Sequence, residues 1–181
     1  MTNFLLIRHG EPHYETPLIT PDAPLTNLGL QKSMATSRKI ELAGSEIVVS
    51  SPTKRTMQTA DIISSELEIP LVIEDGLKEW VADLETLYTT SDIQVQRFQK
   101  AFAEYRKNED FGDDSYERLI DTKKRVLEVL TRYLYCKKVI AVTHSGVMKV
   151  FSPRKYRYCG ILPISQDSDT IKKLSYKNDY Y

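Results

Sequence analysis

Phe4-Leu5-Leu6-Ile7-Arg8-His9-Gly10-Glu11 runs four consecutive apolar residues straight into an arginine–histidine pair and a glycine. An apolar run this brief predicts a buried strand, and a glycine just past its end lets the backbone come close to another group. An imidazole held there is placed to attack a bound phosphoryl group, with the neighbouring guanidinium supplying charge. Three further runs share the character of 4–7, at residues 47–49, 71–73 and 139–142, each short and rich in Val, Ile or Leu. Between them the apolar period becomes helical. Met57, Ala60, Ile63 and Leu67 repeat at that spacing, as do Val95, Phe98, Phe102 and Tyr105, and later Leu119, Val126, Leu127, Leu130 and Leu134. Strands alternating with helices predict an α/β fold. Parallel strands in such a sheet set ligand sites beyond their carboxyl ends, so sequence-distant residues can meet in one pocket.

Local signals refine this outline. Ser51-Pro52 reads as a helix N-cap followed by the first helical residue, which puts Arg55 in a first turn, and Ser115 stands just ahead of the longest helical pattern. Residues 170–177 read as an edge strand, and the tyrosine-rich tail after them as a fraying end.

A chain of 181 residues predicts a single domain over 1–181 with a substantial core. Lysine plus arginine equals aspartate plus glutamate at 25 each, so no global field draws the protein to nucleic acid or an anionic membrane. Anion binding must then be local. The amino terminus has no basic leader and only four apolar residues before its first charge, which predicts neither a signal peptide nor a membrane span. Cys136 and Cys159 lack metal-type spacing and are too few for a disulfide scaffold, which predicts reduced thiols and a cytoplasmic location. Cys136 reads as a small buried hydrophobe.

Three more stretches bear on chemistry. Residues 25–31 read Leu-Thr-Asn-Leu-Gly-Leu-Gln, residues 50–60 Ser-Ser-Pro-Thr-Lys-Arg-Thr-Met-Gln-Thr-Ala, and residues 142–146 Val-Thr-His-Ser-Gly. With Arg8-His9-Gly10-Glu11 they resemble the histidine phosphatase superfamily, the phosphoglycerate mutase-like group. Its members carry R-H-G-E, L-T-x-x-G-x-x-Q, S-S-P-x-x-R-x-x-x-T-A and a late histidine followed by a small residue and glycine. All four occur here in the family order. The resemblance implies a three-layer α/β/α sandwich with a mostly parallel central sheet flanked by helices.

It also implies roles for particular residues. His9 is the nucleophile that forms a phosphohistidine. Arg8, Arg55 and His144 bind the phosphoryl oxygens and count among the catalytic residues, with Ser145 as a further substrate-binding position. Forked guanidinium donors match charge spread over three phosphoryl oxygens. Glu79, in Leu77-Lys78-Glu79-Trp80, takes the place of the family's acid, protonating the leaving alkoxide and then deprotonating water. Its neighbours Glu74, Asp75, Asp83 and Glu85 leave open the reading of a charged loop face. Amide hydrogens at the helix start near Ser51 and around Ser145-Gly146 are further candidate anion donors. No metal or cofactor is needed by this set.

The expected activity is therefore a metal-independent phosphatase acting on a small phosphorylated substrate. Two alternatives stand beside it: a phosphoglycerate mutase-type phosphotransferase, and a catalytically weak module that binds a phosphate ligand. Only 24 residues separate Arg55 from Glu79, which disfavours the longer insertions that mutases of the family carry. The pattern departs from the family in two places. Where many members have an asparagine after R-H-G-E, this chain has Glu15 or its neighbour Thr16, and the glycine-tryptophan pattern after the acid is missing. His13 reads as an exposed loop side chain. Lys149, Arg154, Lys155 and Arg157 fall in a stretch, residues 145–166, with no acidic residue; a solvated face is expected, a basic patch near the pocket being the alternative.

Overall fold

The computed structural model describes residues 1–15, 18–20, 22–82, 84, 89–107 and 115–166. Strand β1 (Asn3–Arg8) is the opening run of the sequence. A two-residue strand β2 (Leu18–Ile19) and helix α1 (Asn27–Ser37) follow, then β3 (Ile47–Ser50), α2 (Lys54–Leu67) and β4 (Leu71–Ile73). The second half holds β5 (Thr89–Thr90), α3 (Ser91–Arg106), α4 (Leu119–Thr131), β6 (Lys138–Thr143), α5 (Ser145–Phe151) and β7 (Ile161–Ser165). The main sheet has the order β4-β3-β6-β1-β7, parallel throughout except for β7, which runs antiparallel to β1. β2 and β5 form a small antiparallel pair of their own.

The central strands are continuously apolar because both of their faces are covered. On one face Phe4, Leu6, Val49, Val139 and Ala141 pack with Val126 and Leu130 of α4 and Val147 and Met148 of α5. On the other, Leu5, Ile7, Val48, Ile140 and Val142 pack with Ala60 and Ile63 of α2. The alternation of residues between the two clusters is the period of two expected of strands. Each such Val, Leu, Ile, Phe or Met side chain, fully buried, contributes about 1.5–3 kcal/mol. A third cluster joins Trp80, Ala82, Ala101, Tyr116 and Leu119, with Phe98 and Phe102 of α3 against it. The expected α/β/α sandwich is the fold observed, and the four expected strands lie within one residue of their predicted ends.

The differences are local. α2 begins at Lys54 behind the N-cap Thr53, so Ser51-Pro52 is not its cap. The Ser51 amide instead extends the sheet by donating to Val142 O at 3.1 Å. Arg55 does sit in the first turn. α4 begins at Leu119 with Arg118 as N-cap, so Ser115 is not its N-cap; the Ser115 carbonyl accepts from the Leu84 amide at 2.9 Å. The antiparallel strand observed beside β1 is Ile161–Ser165, while the strand expected over 170–177 and the tail after it lie outside the described residues. Both cysteines are free and buried, and His13 is exposed. No helix among the described residues is long and apolar enough to cross a membrane.

Candidate active site

Register places Arg8 level with Thr143 and Ser50 level with Val142, so β1, β3 and β6 end together and hand on His9, Ser51 and His144 at one edge of the sheet. The His9 amide donates to Thr143 O at 3.0 Å. Beyond it, the Gly10 amide donates to Thr59 Oγ1 at 2.9 Å, and the same hydroxyl donates to Arg55 O at 2.8 Å. One threonine of α2 therefore ties the loop after β1 to the turn that carries Arg55. Gly10 has no room for a side chain: a Cβ would lie 2.8 Å from Gly29 O and 2.9 Å from Ser33 Oγ. Glu11 completes the lock by accepting from the Thr26 hydroxyl at 3.0 Å, and Thr26 caps α1 through the Gly29 amide at 2.9 Å.

His9 is 4% exposed, His144 0% and Arg55 4%, and the three meet directly. His9 Nδ1–H donates to Gly10 O at 2.7 Å, which leaves the lone pair on Nε2, and Arg55 Nε donates to that atom at 3.3 Å. Arg55 also donates to His144 Nδ1 at 3.4 Å and to Thr20 O at 2.8 Å. With Nδ1 accepting, His144 Nε2–H donates to Ser51 Oγ at 2.8 Å. The ring centroids of the two histidines are 5.1 Å apart, edge to face. Burial, and after it the Arg55 guanidinium, holds both imidazoles well below the ordinary histidine range, so both are neutral at pH 7.

Arg8 lies on the rim of this group. Its guanidinium carbon stands 4.0 Å from the centroid of the Tyr158 ring, and that ring is 5.7 Å from His9. Its Nη1 donates to Tyr156 O at 2.9 Å, while its buried Nε has no hydrogen-bond partner among the described residues. A buried donor left in this state calls for an acceptor. Tyr14 belongs to the same mouth: burial raises the pKa of its hydroxyl, with the Arg55 guanidinium acting in the opposite sense.

Glu79 is brought in from a different direction. Its carboxylate accepts from the amides of Trp80 at 2.9 Å, Gly146 at 3.2 Å and Val147 at 3.3 Å, and so caps the amino terminus of α5, whose N-cap residue is His144. The expectation that the amides around Ser145-Gly146 face an anionic substrate directly is corrected for Gly146, whose amide Glu79 takes up together with that of Val147. Arg125 of α4 fixes the segment that carries Glu79, donating to Gly76 O at 2.7 Å, Lys78 O at 2.8 Å and Glu79 O at 3.2 Å. Its Nε and Nη2 pair with both oxygens of Glu117 at 2.7 and 3.0 Å. A cavity of about 130 Å³ opens beside Glu79, with Ser145, Trp80, Phe98 and Lys149 in its wall.

Of the residues singled out in the sequence, His9, Arg55 and His144 come into contact, Arg8 adjoins them through Tyr158, and Glu79 and Ser145 lie at the head of α5. Glu15 is exposed, and Arg154, Lys155 and Arg157 are solvated as expected; Lys149 departs from that reading by entering the cavity wall. Sequence reasoning missed Tyr14, Ser51 as the partner of His144, Tyr158 and Arg125. Only Ser51 had a signal, its place in the motif at residues 50–60. Among the described residues, no three His, Cys, Asp or Glu side chains gather so as to hold a metal ion.

A family model described as "Histidine phosphatase superfamily (branch 1)" matches residues 4–156. An uncharacterized phosphatase of Bacillus subtilis, PhoE, is 26% identical over 151 residues, which span 82% of this chain and 74% of that one. A metal-independent phosphoserine phosphatase of Arabidopsis thaliana is 28% identical over 158 residues, covering 82% of this chain and 66% of its own. Among solved structures, a mycobacterial glucosyl-3-phosphoglycerate phosphatase in complex with VO3 superposes with a TM-score of 0.74 at 16% identity, covering 94% of both chains, a likeness of fold.

Proposed function

From the premise that the chain belongs to the histidine phosphatase superfamily, we propose that it is a metal-independent phosphomonoesterase working through a phosphohistidine at His9. One observation carries the reading. A buried, neutral His9 keeps Nε2 unprotonated beside the Arg55 guanidinium, 3.3 Å away, so nucleophile and countercharge stand together, and Arg55 turns its hydrogen bond from Nε2 to the phosphoryl oxygens when substrate enters.

In the first step the Nε2 lone pair attacks phosphorus, an N–P bond forms and the ester P–O bond breaks. Glu79 gives its proton to the departing alkoxide. In the second step a water oxygen attacks the phosphohistidine, its proton passes to Glu79, the N–P bond breaks, and His9 and the acid are restored with inorganic phosphate released. Arg55 and the orphaned Nε of Arg8 supply donors to the phosphoryl oxygens. His144 joins them by a change of tautomer. When a phosphoryl oxygen replaces Arg55 at Nδ1, the Ser51 hydroxyl reverses and donates to Nε2, so that Nδ1–H points at the substrate. Ser145, first residue of α5, lies beside Glu79 as a further substrate contact. Catalysis by such a site is positioning plus electrostatics, which the arginines and histidines provide.

The test is p-nitrophenyl phosphate hydrolysis in excess EDTA by wild type and His9→Ala, followed by acid quench for protein-bound phosphate. Wild type is expected to turn over and to trap label, and His9→Ala to do neither. Turnover retained in His9→Ala, or abolished in wild type by EDTA, would refute the mechanism.

A further inference from the structure

Residues 156–160 wrap around the Arg8-His9 pair. The Arg8 amide donates to Gly160 O at 3.0 Å, and the Cys159 amide is shared between Arg8 O at 2.9 Å and His9 O at 3.4 Å. Within the turn the Gly160 amide donates to Arg157 O at 2.9 Å, and Cys159 takes a left-handed backbone at φ 59°. That conformation is costly for a residue with a Cβ and persists only where the surroundings enforce it. What the turn delivers is two contacts on one guanidinium. Tyr156 O accepts from Arg8 Nη1 at 2.9 Å, and the centroid of the Tyr158 ring stands 4.0 Å from Arg8 Cζ and 5.7 Å from the His9 ring.

A carboxylate fixes an arginine by taking up its donors and cancelling its charge. Among the described residues no carboxylate pairs with Arg8. A ring face holds a guanidinium through its quadrupole and consumes no N–H group. Nη1 is the terminal nitrogen on the Cδ side, so anchoring it to Tyr156 O leaves the Nε–Nη2 edge, which is suited to forked donation, and the buried Nε has no hydrogen-bond partner among the described residues. Resting on the proposed phosphatase reading, we infer that Tyr158 is a positioning residue: its ring holds the Arg8 guanidinium with the Nε–Nη2 edge open to the phosphoryl oxygens, and leaves undiminished the positive charge that the transition state needs. Tyr158 acts through Arg8 and not on the phosphoryl group itself.

The test reads two quantities on the full chain: kcat/KM for p-nitrophenyl phosphate, and the affinity for orthovanadate, whose adduct on a nucleophile presents three equatorial oxygens as the transition state does. Tyr158→Leu removes the ring face and is expected to lose on the order of tenfold in both. Tyr158→Phe keeps the face and is expected to stay within about threefold of wild type. The decisive comparison repeats Tyr158→Leu in an Arg8→Ala background, where it is expected to change either quantity by less than about twofold, because the group it positions is gone. A merely structural role would lower both backgrounds alike. Equal losses from Tyr158→Leu with and without Arg8, wild-type values in Tyr158→Leu, or a loss in Tyr158→Phe as large as in Tyr158→Leu would each overturn the inference while leaving the phosphatase reading intact. Wild type that neither hydrolyses p-nitrophenyl phosphate nor binds orthovanadate would remove the phosphatase reading and this inference with it.

Discussion

A nucleophilic histidine has to be neutral, correctly protonated on the far nitrogen and unable to turn, and two neighbours of His9 together with its burial see to this. Gly10 O fixes the proton on Nδ1, burial keeps the ring uncharged, and Thr59 anchors the following amide. The acid depends on a residue with no side chain at all. A Cβ on Gly146 would lie 2.5 Å from Glu79 Oε1 and 3.2 Å from Phe98 Cε2, so any larger residue must push the carboxylate off the head of α5. Displacement of a reacting group by about 1 Å costs on the order of a hundredfold in rate. Gly146→Ala is therefore expected to lower kcat for an alkyl phosphate by about that factor, with a far smaller effect on p-nitrophenyl phosphate, whose leaving group needs little protonation. Equal losses on both substrates would show that the substitution disturbs His9 and not the acid. The glycine was legible in the sequence as part of Val-Thr-His-Ser-Gly, but its reason was not: the contact is with a residue 67 positions away in the chain.

At the scale of elements, the central strands could be read because apolar runs buried on both faces leave no ambiguity, α4 because its buried stripe is largely aliphatic, and α2 through Ala60 and Ile63, which its buried Arg55, Thr56 and Thr59 accompany. α1 could not. Its buried residues are Gly29, Ser33, Thr36 and Ser37, small side chains that let it pack close to the loop after β1, and they produce no apolar period. β7 was hidden by Pro163, which is tolerated because the strand lies at the sheet edge. The Ser51-Pro52 expectation failed for a related reason: cap chemistry is local, whereas the Ser51 hydroxyl was recruited by a histidine in another element. Arg125 shows the same limit from the other side. In the sequence it is an unremarked arginine of a charged helix, and in the fold it holds three carbonyls of the segment bearing Glu79 while paired with Glu117. Arg125→Met keeps much of the side-chain volume and strands those acceptors together with a largely buried carboxylate, which is expected to cost about 3–5 kcal/mol of stability. As a positioning residue it should also lower kcat more than it raises KM, measured well below the variant's melting range. Wild-type kcat in a folded Arg125→Met protein would separate the clamp from catalysis.

Across the whole molecule, the burial that readies the site sets a condition on stability. His9 and His144 both sit under the sheet edge with folded pKa values well below the unfolded histidine value of about 6.5. Below that value an unfolded chain takes up protons at these positions that the folded protein refuses, so the unfolded state binds more protons and stability must rise with pH through that window. Above about pH 6.5 neither state is protonated there and the contribution is complete; as pH falls from 6.5 toward the folded values it is lost, at about 1.4 kcal/mol per pH unit for each ring. Urea unfolding at pH 7.5, 6.5 and 5.5 should then show little change over the first interval from these groups and a loss on the order of 2 kcal/mol over the second. Carboxylates also begin to titrate near the lower end, so the decisive comparison is with His9→Asn, which removes one ring and leaves the carboxylates in place. Its loss between pH 6.5 and 5.5 should be smaller than that of wild type by about one ring's share. Parallel curves for the two proteins would mean that His9 is protonated as readily in the folded state as in the unfolded one, and the free Nε2 on which nucleophilic attack depends would not be secured by the fold.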